Sequence, residues 1–213
     1  MWNVTFLSEP LGPCYDEVLD ILALAFETDP GYLSLSRVSG EAHHQHIRQM
    51  MRSSLELHLA ARQPIFAIAR DEEILGVSLV EEPGASLPRL AAAKELARLL
   101  RRTAPSVAFR AIRGLLVLMR ERPREPHHYL AMLAVHPRAR GRGLARALLE
   151  DLHAASGSHP DSSGVALDTS NPRNVKLYER FGYQTVTRFR VSGVEAWCMF
   201  RPNGSNRHPR RAG

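Results

Sequence analysis

Tyr129-Leu-Ala-Met-Leu-Ala-Val135, His136-Pro-Arg-Ala-Arg-Gly-Arg-Gly143 and Leu144-Ala-Arg-Ala-Leu-Leu149 follow one another without a break, and their order reads strand, tight loop, helix. The first run is apolar at odd and even positions alike, as a central strand buried on both faces must be. Pro137 stops it, because proline brings no donor to the ladder. Gly141 and Gly143 let the backbone turn tightly and approach a ligand with no Cβ in the way. Leu144, Leu148 and Leu149 then open an amphipathic helix. The loop therefore aims free N–H groups and the positive end of a helix dipole at one point, which suits a phosphate or pyrophosphate.

Working outward, 213 residues with 44% apolar composition suit one domain with a real core. No apolar run is long enough to span a bilayer, and Met1 to Pro10 has neither the cationic head nor the apolar stretch of a signal peptide. Cys14 and Cys198 are expected as free thiols in a reducing cytoplasm. Neither has the histidine spacing of a zinc site, and no metal is expected. The net charge of +6 is uneven: +8 over residues 88–124, +3 after Asn203, and −5 elsewhere. The 88–124 surplus reads as a solvated helix face, or else as an anion-attracting flank beside a site.

In chain order, Val4–Leu7 reads as a strand. Tyr15–Thr28 reads as a helix with Val18, Leu22, Ala25 and Phe26 on one stripe, ended by Asp29-Pro30-Gly31. A loop is expected from Tyr32 to Gly40, then a helix over Glu41–Arg62 with Ile47, Met50, Met51 and Leu55 inward. His43, His44 and His46 on its first turns suggest an exposed histidine-bearing turn rather than a metal cluster. Ile65–Arg70 and Ile74–Val80 form a hairpin through residues 71–73. Two helices, Pro88–Arg102 and Ser106–Arg120, follow a break at 81–86. Ala108, Ile112, Leu115 and Met119 make an apolar stripe on the second. Arg122 to Pro126 reads as an extended linker. Past the central helix come a surface loop, Gly157–Gly164, and a short buried strand, Val165–Asp168. A helix over Asn174–Arg180 is closed by Gly182, and two final strands, Tyr183–Val191 and Ala196–Arg201, turn at Ser192-Gly193. Beyond Pro202 the chain lacks apolar residues, and disorder is expected.

A Gly-x-Gly by itself says little. The Gly-Lys-Ser/Thr of a P-loop is absent, and a dinucleotide loop would sit after the first strand of a βαβ unit. A strand-to-helix turn that simply needs glycine explains it equally well. A second constellation adds weight: Asp168-Thr-Ser-Asn-Pro-Arg-Asn174-Val-Lys-Leu-Tyr178-Glu-Arg-Phe-Gly-Tyr183. Asn174 and Tyr178 are four apart and share a helix face, and an amide and a phenol on one face could line a cleft. Read alone, each has a plainer use, Asn174 as a helix starter and Tyr178 as a core aromatic.

Together, and in this order, the two constellations resemble the GNAT N-acetyltransferase superfamily. Arg140-Gly-Arg-Gly-Leu-Ala145 is similar to its Arg/Gln-x-x-Gly-x-Gly/Ala acyl-CoA loop. The pattern also fits two residues earlier, Arg138–Gly143, but the helix begins just after Gly143. Asn174–Tyr183 is similar to the family's Asn-x-x-x-x-Tyr-x-x-x-Gly-Phe/Tyr segment. A closer resemblance is to the puromycin N-acetyltransferase subfamily, through Leu22–Phe26, Arg124–Pro126, Tyr129–Ala131, Asp168–Asn174 and Ala196–Met199. Against it, the loop 157–164 is longer and the segment after Phe26 differs, where acceptor contacts are expected.

The resemblance implies an α/β (α+β) GNAT fold: a central mixed, mostly antiparallel sheet splayed between strands 4 and 5, with helices on both faces. It implies one acetyltransferase domain over 1–203 with a helical insertion at about 88–124, and a basic disordered tail at 204–213. It implies acetyl transfer from acetyl-CoA to a primary amine of a small molecule, directly in a ternary complex. Leu133, Ala134 and Val135 would face the pantetheine arm, and the backbone of Arg140, Gly141, Arg142, Gly143, Leu144 and Ala145 would hold the pyrophosphate. Asn174 would orient the arm and Tyr178 would protonate the leaving sulfur. Asp168 is the best carboxylate for a base, directly or through water, and equally reads as a loop cap. His127 and His128 are weaker bases, and His136 marks the turn. The chain is expected as a monomer or homodimer, with neither membrane nor nucleic acid as partner. Rival readings are an acceptor that is a protein N-terminus, a polyamine or aminoacyl-tRNA, and a non-catalytic acyl-CoA sensor.

Overall fold

The computed structural model describes residues 3–7, 11–36, 41–71, 73–86, 89–102 and 105–204. In chain order the elements are β1 (Val4–Leu7), α1 (Cys14–Phe26), α2 (Pro30–Ser36), α3 (Glu41–Ala60), β2 (Ile65–Arg70), β3 (Glu73–Glu81), α4 (Arg89–Arg102) and α5 (Pro105–Glu121). After them come β4 (His128–Val135), a 3-10 turn (Pro137–Ala139), α6 (Leu144–Ser158), β5 (Gly164–Thr169), α7 (Pro172–Glu179), β6 (Gln184–Val191) and β7 (Val194–Pro202). Seven strands make one sheet in the order β1-β2-β3-β4-β5-β7-β6. Every pairing is antiparallel except β4 with β5.

The parallel pair opens almost at once. His128, Tyr129 and Leu130 register against Val165, Ala166 and Leu167, while β4 runs on to Val135 and β5 to Thr169. The two strands splay from Leu130 onward, as the resemblance implies. Each face of the sheet is covered by the stripe that periodicity picks out. Val18 and Leu22 of α1, with Ile47, Met51 and Leu55 of α3, pack on Val77, Leu79, Met132 and Ala134. On the other face Leu149 and Leu152 of α6 meet Val80, Leu130, Val165 and Leu167, and Leu144 and Leu148 meet Ile68 and Leu75. Burial of each such side chain contributes about 1.5–3 kcal/mol, which anchors the helix whose first turn matters below.

Three expectations need correction. Residues 30–36 form a helix rather than the start of a loop; residues 37–40 lie outside the described ones. The Asp29 carboxylate accepts from the N–H groups of Gly31 and Tyr32 at 2.9 and 3.4 Å. Pro30 sits where a missing N–H costs nothing. The helix after β5 starts at Pro172, capped by Asn171, whose side chain accepts from the Arg173 N–H; Asn174 lies inside its first turn. Gly157 belongs to α6, not to the loop after it. On α5 the apolar stripe is only partly covered. Leu115 and Met119 are exposed, as are Phe109 and Leu116; the Ala108 side chain lies outside the described ones. The expected tail, from residue 205, also lies outside them. Cys14 and Cys198 are both free thiols. No described helix is long and apolar enough to cross a membrane.

Candidate active site

At the end of β4, His136 donates its N–H to the Leu75 carbonyl on β3 at 2.8 Å, and its ring accepts from the Arg138 N–H. It therefore shapes the turn. Ala139 is buried, and the chain then crosses Gly141 at φ 75° and Gly143 at φ 84°. No atom lies within 4 Å of where a Cβ would stand at either glycine. The requirement for glycine is thus conformational, and the loop's surface is open. Gly143 caps α6 with no side-chain hydrogen bond. The first-turn amides of Leu144 and Ala145 have no carbonyl a turn earlier to bond within the helix. The side chain of Leu144 is buried in the core, so only its backbone faces the loop. Arg140 and Arg142 are exposed beside these amides, and Arg138 pairs with Glu73. The arrangement is a cradle for an anion.

Behind the loop, β4 has one free edge. Residues opposite each other in an antiparallel pair alternate between bonding the partner strand and turning away. With His136 bonded to Leu75 and Ala134 opposite Val77, Ala134 spends its backbone groups on β3. Leu133 and Val135 point theirs into the gap left by β5. Of the three strand residues that the sequence analysis nominates, two thus offer main-chain hydrogen bonds there.

A cavity of about 310 Å³ fills the splay. Tyr129 to Leu133 form its floor, and Asp168, Thr169 and Ser170 one wall, with Asn174 and Tyr178 of α7 beside them. Phe26, Asp29, Tyr32 and Leu35 come from the α1–α2 corner, while Leu115 and Leu118 come from α5. The cavity thus joins Asp168, Asn174, Tyr178 and Leu133. Ala134, Val135 and the Arg140–Ala145 loop lie outside its lining, farther along β4. The other nominated bases are elsewhere. His128 bonds Ser162 Oγ at 2.9 Å and packs on His159, where burial and then that ring push its pKa down to about 4. His127 contacts the Glu125 carbonyl.

Asp168 is the most perturbed carboxyl in the cavity. Burial pushes its pKa up to about 6, against the pull of the Tyr129 hydroxyl and of Arg122. That hydroxyl donates to Asp168 Oδ2 at 2.7 Å. Oδ1 is buried and meets no donor at full hydrogen-bond geometry. The Cys198 thiol, a weak donor, lies beside the carboxyl and also pulls its pKa down, so Oδ1 keeps acceptor capacity that native proteins rarely leave without use. The neighbouring Cys198 thiol is pushed up to about 12 by burial and by Asp168, so it stays protonated. Tyr178 is buried, and burial, then the nearby Asp29, raises its pKa above the ordinary value. Asp29 is itself raised by burial.

Sequence reasoning misses Tyr129, Asp29, Tyr32 and Arg122. Asp29-Pro30 carried a readable signal, an N-cap followed by a first-turn proline. Tyr129 reads as one more apolar strand residue, and Arg122 as linker. Among the described residues no group of three His, Cys, Asp or Glu side chains could hold a metal ion.

Residues 107–185, from α5 into the start of β6, match the family model of the acetyltransferase (GNAT) domain. Three solved structures overlay the chain almost end to end. A histone acetyltransferase and related acetyltransferase from Corynebacterium glutamicum shares 22% identity, covering 95% of this chain and 96% of its own, with a TM-score of 0.69. Arylalkylamine N-acetyltransferase 2 from Aedes aegypti shares 16%, covering 94% and 99%, with a TM-score of 0.61. The polyamine N-acetyltransferase of Drosophila melanogaster shares 16%, covering 93% and 98%, with a TM-score of 0.56. The open seven-stranded sheet, its splayed parallel pair and the matched stretch give this chain the GNAT acetyltransferase fold.

Proposed function

We propose that the protein transfers an acetyl group from acetyl-CoA to the primary amine of a small molecule. One observation carries this reading: an anion cradle and a cavity holding a raised carboxyl and a buried phenol lie along a single strand, whose edge between them is unpaired. Acetyl-CoA supplies the activated thioester. The amides from Gly141 to Ala145 bind its pyrophosphate, with Arg140 and Arg142 adding charge. Leu133 and Val135 bond the pantetheine arm as an added strand would, and Asn174 orients it. Asp168 takes a proton from the incoming ammonium, because only the neutral amine attacks. The new C–N bond forms as the C–S bond breaks, and Tyr178 hydrogen-bonds the departing sulfur. Holding both reactants in one cavity supplies much of the acceleration.

The walls favour an amine with an apolar body. Phe26, Leu35 and Leu118 offer only apolar contact. Asp168 meets the ammonium, and the other carboxyl on the wall, Asp29, already accepts from the Gly31 and Tyr32 amides. The resemblance in Asp168–Asn174 and Ala196–Met199 makes a puromycin-like aminonucleoside the first acceptor to try. The test is release of free thiol from acetyl-CoA with puromycin, arylalkylamines, polyamines and an N-terminal alanyl peptide. Thiol release with one of the apolar amines is the expected result. Heat of binding for acetyl-CoA without thiol release from any amine would establish the acyl-CoA sensor instead.

Gly143→Val probes the donor half on its own. A β-branched residue does not settle at φ 84° without strain. Strain of roughly 1–2 kcal/mol, plus misdirected amides, is expected to weaken acetyl-CoA binding about tenfold or more by calorimetry. Unchanged affinity would remove the loop from the donor site.

A further inference from the structure

Asp168 is braced by residues from outside its own strand. Arg122, just past α5 and half-buried, forks onto Glu81 at the end of β3, with Nη1 2.7 Å from Oε2 and Nη2 3.5 Å from Oε1. Its guanidinium carbon lies 3.3 Å from the centre of the Tyr129 ring, a cation–π contact made while the same guanidinium holds Glu81. The Tyr129 hydroxyl in turn donates to Asp168 Oδ2 at 2.7 Å. Three elements thus converge on one carboxyl and leave its Oδ1 without a strong donor, the Cys198 thiol being the weak donor beside it.

We propose that Arg122, anchored by Glu81, is a positioning residue: it clamps the Tyr129 ring, and through the Tyr129 hydroxyl it holds the Asp168 carboxylate with Oδ1 left for the acceptor amine. Asp168 touches the substrate; Arg122 acts through Tyr129. This rests on the acetyl-transfer reading for its purpose but not for its geometry. The charged and titratable groups bearing on Asp168 are Tyr129 from β4, Arg122, Cys198 from β7 and Glu121 at the end of α5. Arg122 is the one cation among them. Its removal disfavours the ionised carboxylate, so the Asp168 midpoint must rise. Glu81 offsets the charge of Arg122, so Glu81→Gln leaves that charge unbalanced and must move the midpoint down.

The test is carboxyl-carbon NMR titration of the full chain labelled at aspartate, with Asp168 assigned from the signal lost in Asp168→Asn. A parent midpoint near 6, an upward shift of about one pH unit in Arg122→Met and a downward one in Glu81→Gln are the expected results. Opposite shifts are something that mere loss of packing would not produce, and Glu81→Gln keeps the question decidable should Arg122→Met fail to fold. Equal midpoints in parent and folded variants would overturn the proposal. Turnover is measured beside it. If a competent amine exists, the acid limb of kcat/KM follows the NMR midpoint in each variant; absence of turnover in the parent counts against the enzymatic reading alone, since the titration still decides the role of Arg122.

Discussion

Asp168→Asn is expected to lower kcat/KM for the acceptor amine by about 10²–10³-fold, the usual worth of a positioned general base, and to erase the acid limb of the pH–rate profile. In the parent that limb should lie near pH 6, where the carboxyl ionises: below it Asp168 is protonated and takes no proton, above it Asp168 is a base. The same substitution should act on stability in the opposite sense. A carboxyl whose folded value stands above its ordinary one favours folding while it is neutral, and that contribution is lost as pH rises through about 6. The ionised group costs the fold on the order of 3 kcal/mol at neutral pH. Asparagine carries no such charge. The melting temperature of Asp168→Asn relative to the parent should therefore climb between about pH 4 and 6 and level off above. A parent-like pH–rate profile in the variant would exclude Asp168 as the base, and a stability difference that is flat with pH would show that the folded carboxyl does not titrate above its ordinary value.

That trade of stability for chemistry also explains which parts of the site were legible. The anion cradle is local: Gly141 and Gly143 need positive φ, Leu144 starts a helix, and all of this lies within a few residues. Asn174 and Tyr178 are legible for the same reason, because four residues along a helix is a fixed geometry. The brace around Asp168 is not local. Glu81 and Arg122 are separated by the whole of α4 and α5, and Tyr129 meets Asp168 only because β4 and β5 are parallel neighbours for three residues. Nothing in the period of the β4 run distinguishes Tyr129 from Leu130. The exposure of Leu116 and Met119 on α5 marks another limit of periodicity, since an apolar stripe announces a face without saying what covers it. Asp29-Pro30 is different again: the capping signal was present, but the glycine that follows reads as a breaker, and the breaker reading hid a short helix that forms one corner of the cavity.

Tyr178→Phe is expected to lower kcat by about 10–100-fold while leaving the acetyl-CoA dissociation constant within about twofold, and the size follows from the phenol's own energetics. Burial and Asp29 raise its pKa, whereas an ordinary thiol titrates near 8.5. Full proton transfer from this phenol to the sulfur is therefore uphill, and the raised value argues against Tyr178 as a freely dissociating acid. What it offers is a hydrogen bond that strengthens as negative charge develops on the leaving group. Such a bond to a charged partner is worth about 1.5–3 kcal/mol, which converts to roughly 10–150-fold in rate. The proton that ends on sulfur can then come from the nitrogen, which must shed one as the amide forms. The ring itself packs on Tyr183, with centroids 5.5 Å apart, and phenylalanine keeps that contact, so the fold should be unaffected. Two outcomes separate the possibilities. Loss of kcat at constant acetyl-CoA affinity fits a bond made only as the thioester breaks. Parallel loss of affinity would make Tyr178 a binding group, and parent-like turnover would leave the sulfur to be stabilised by solvent.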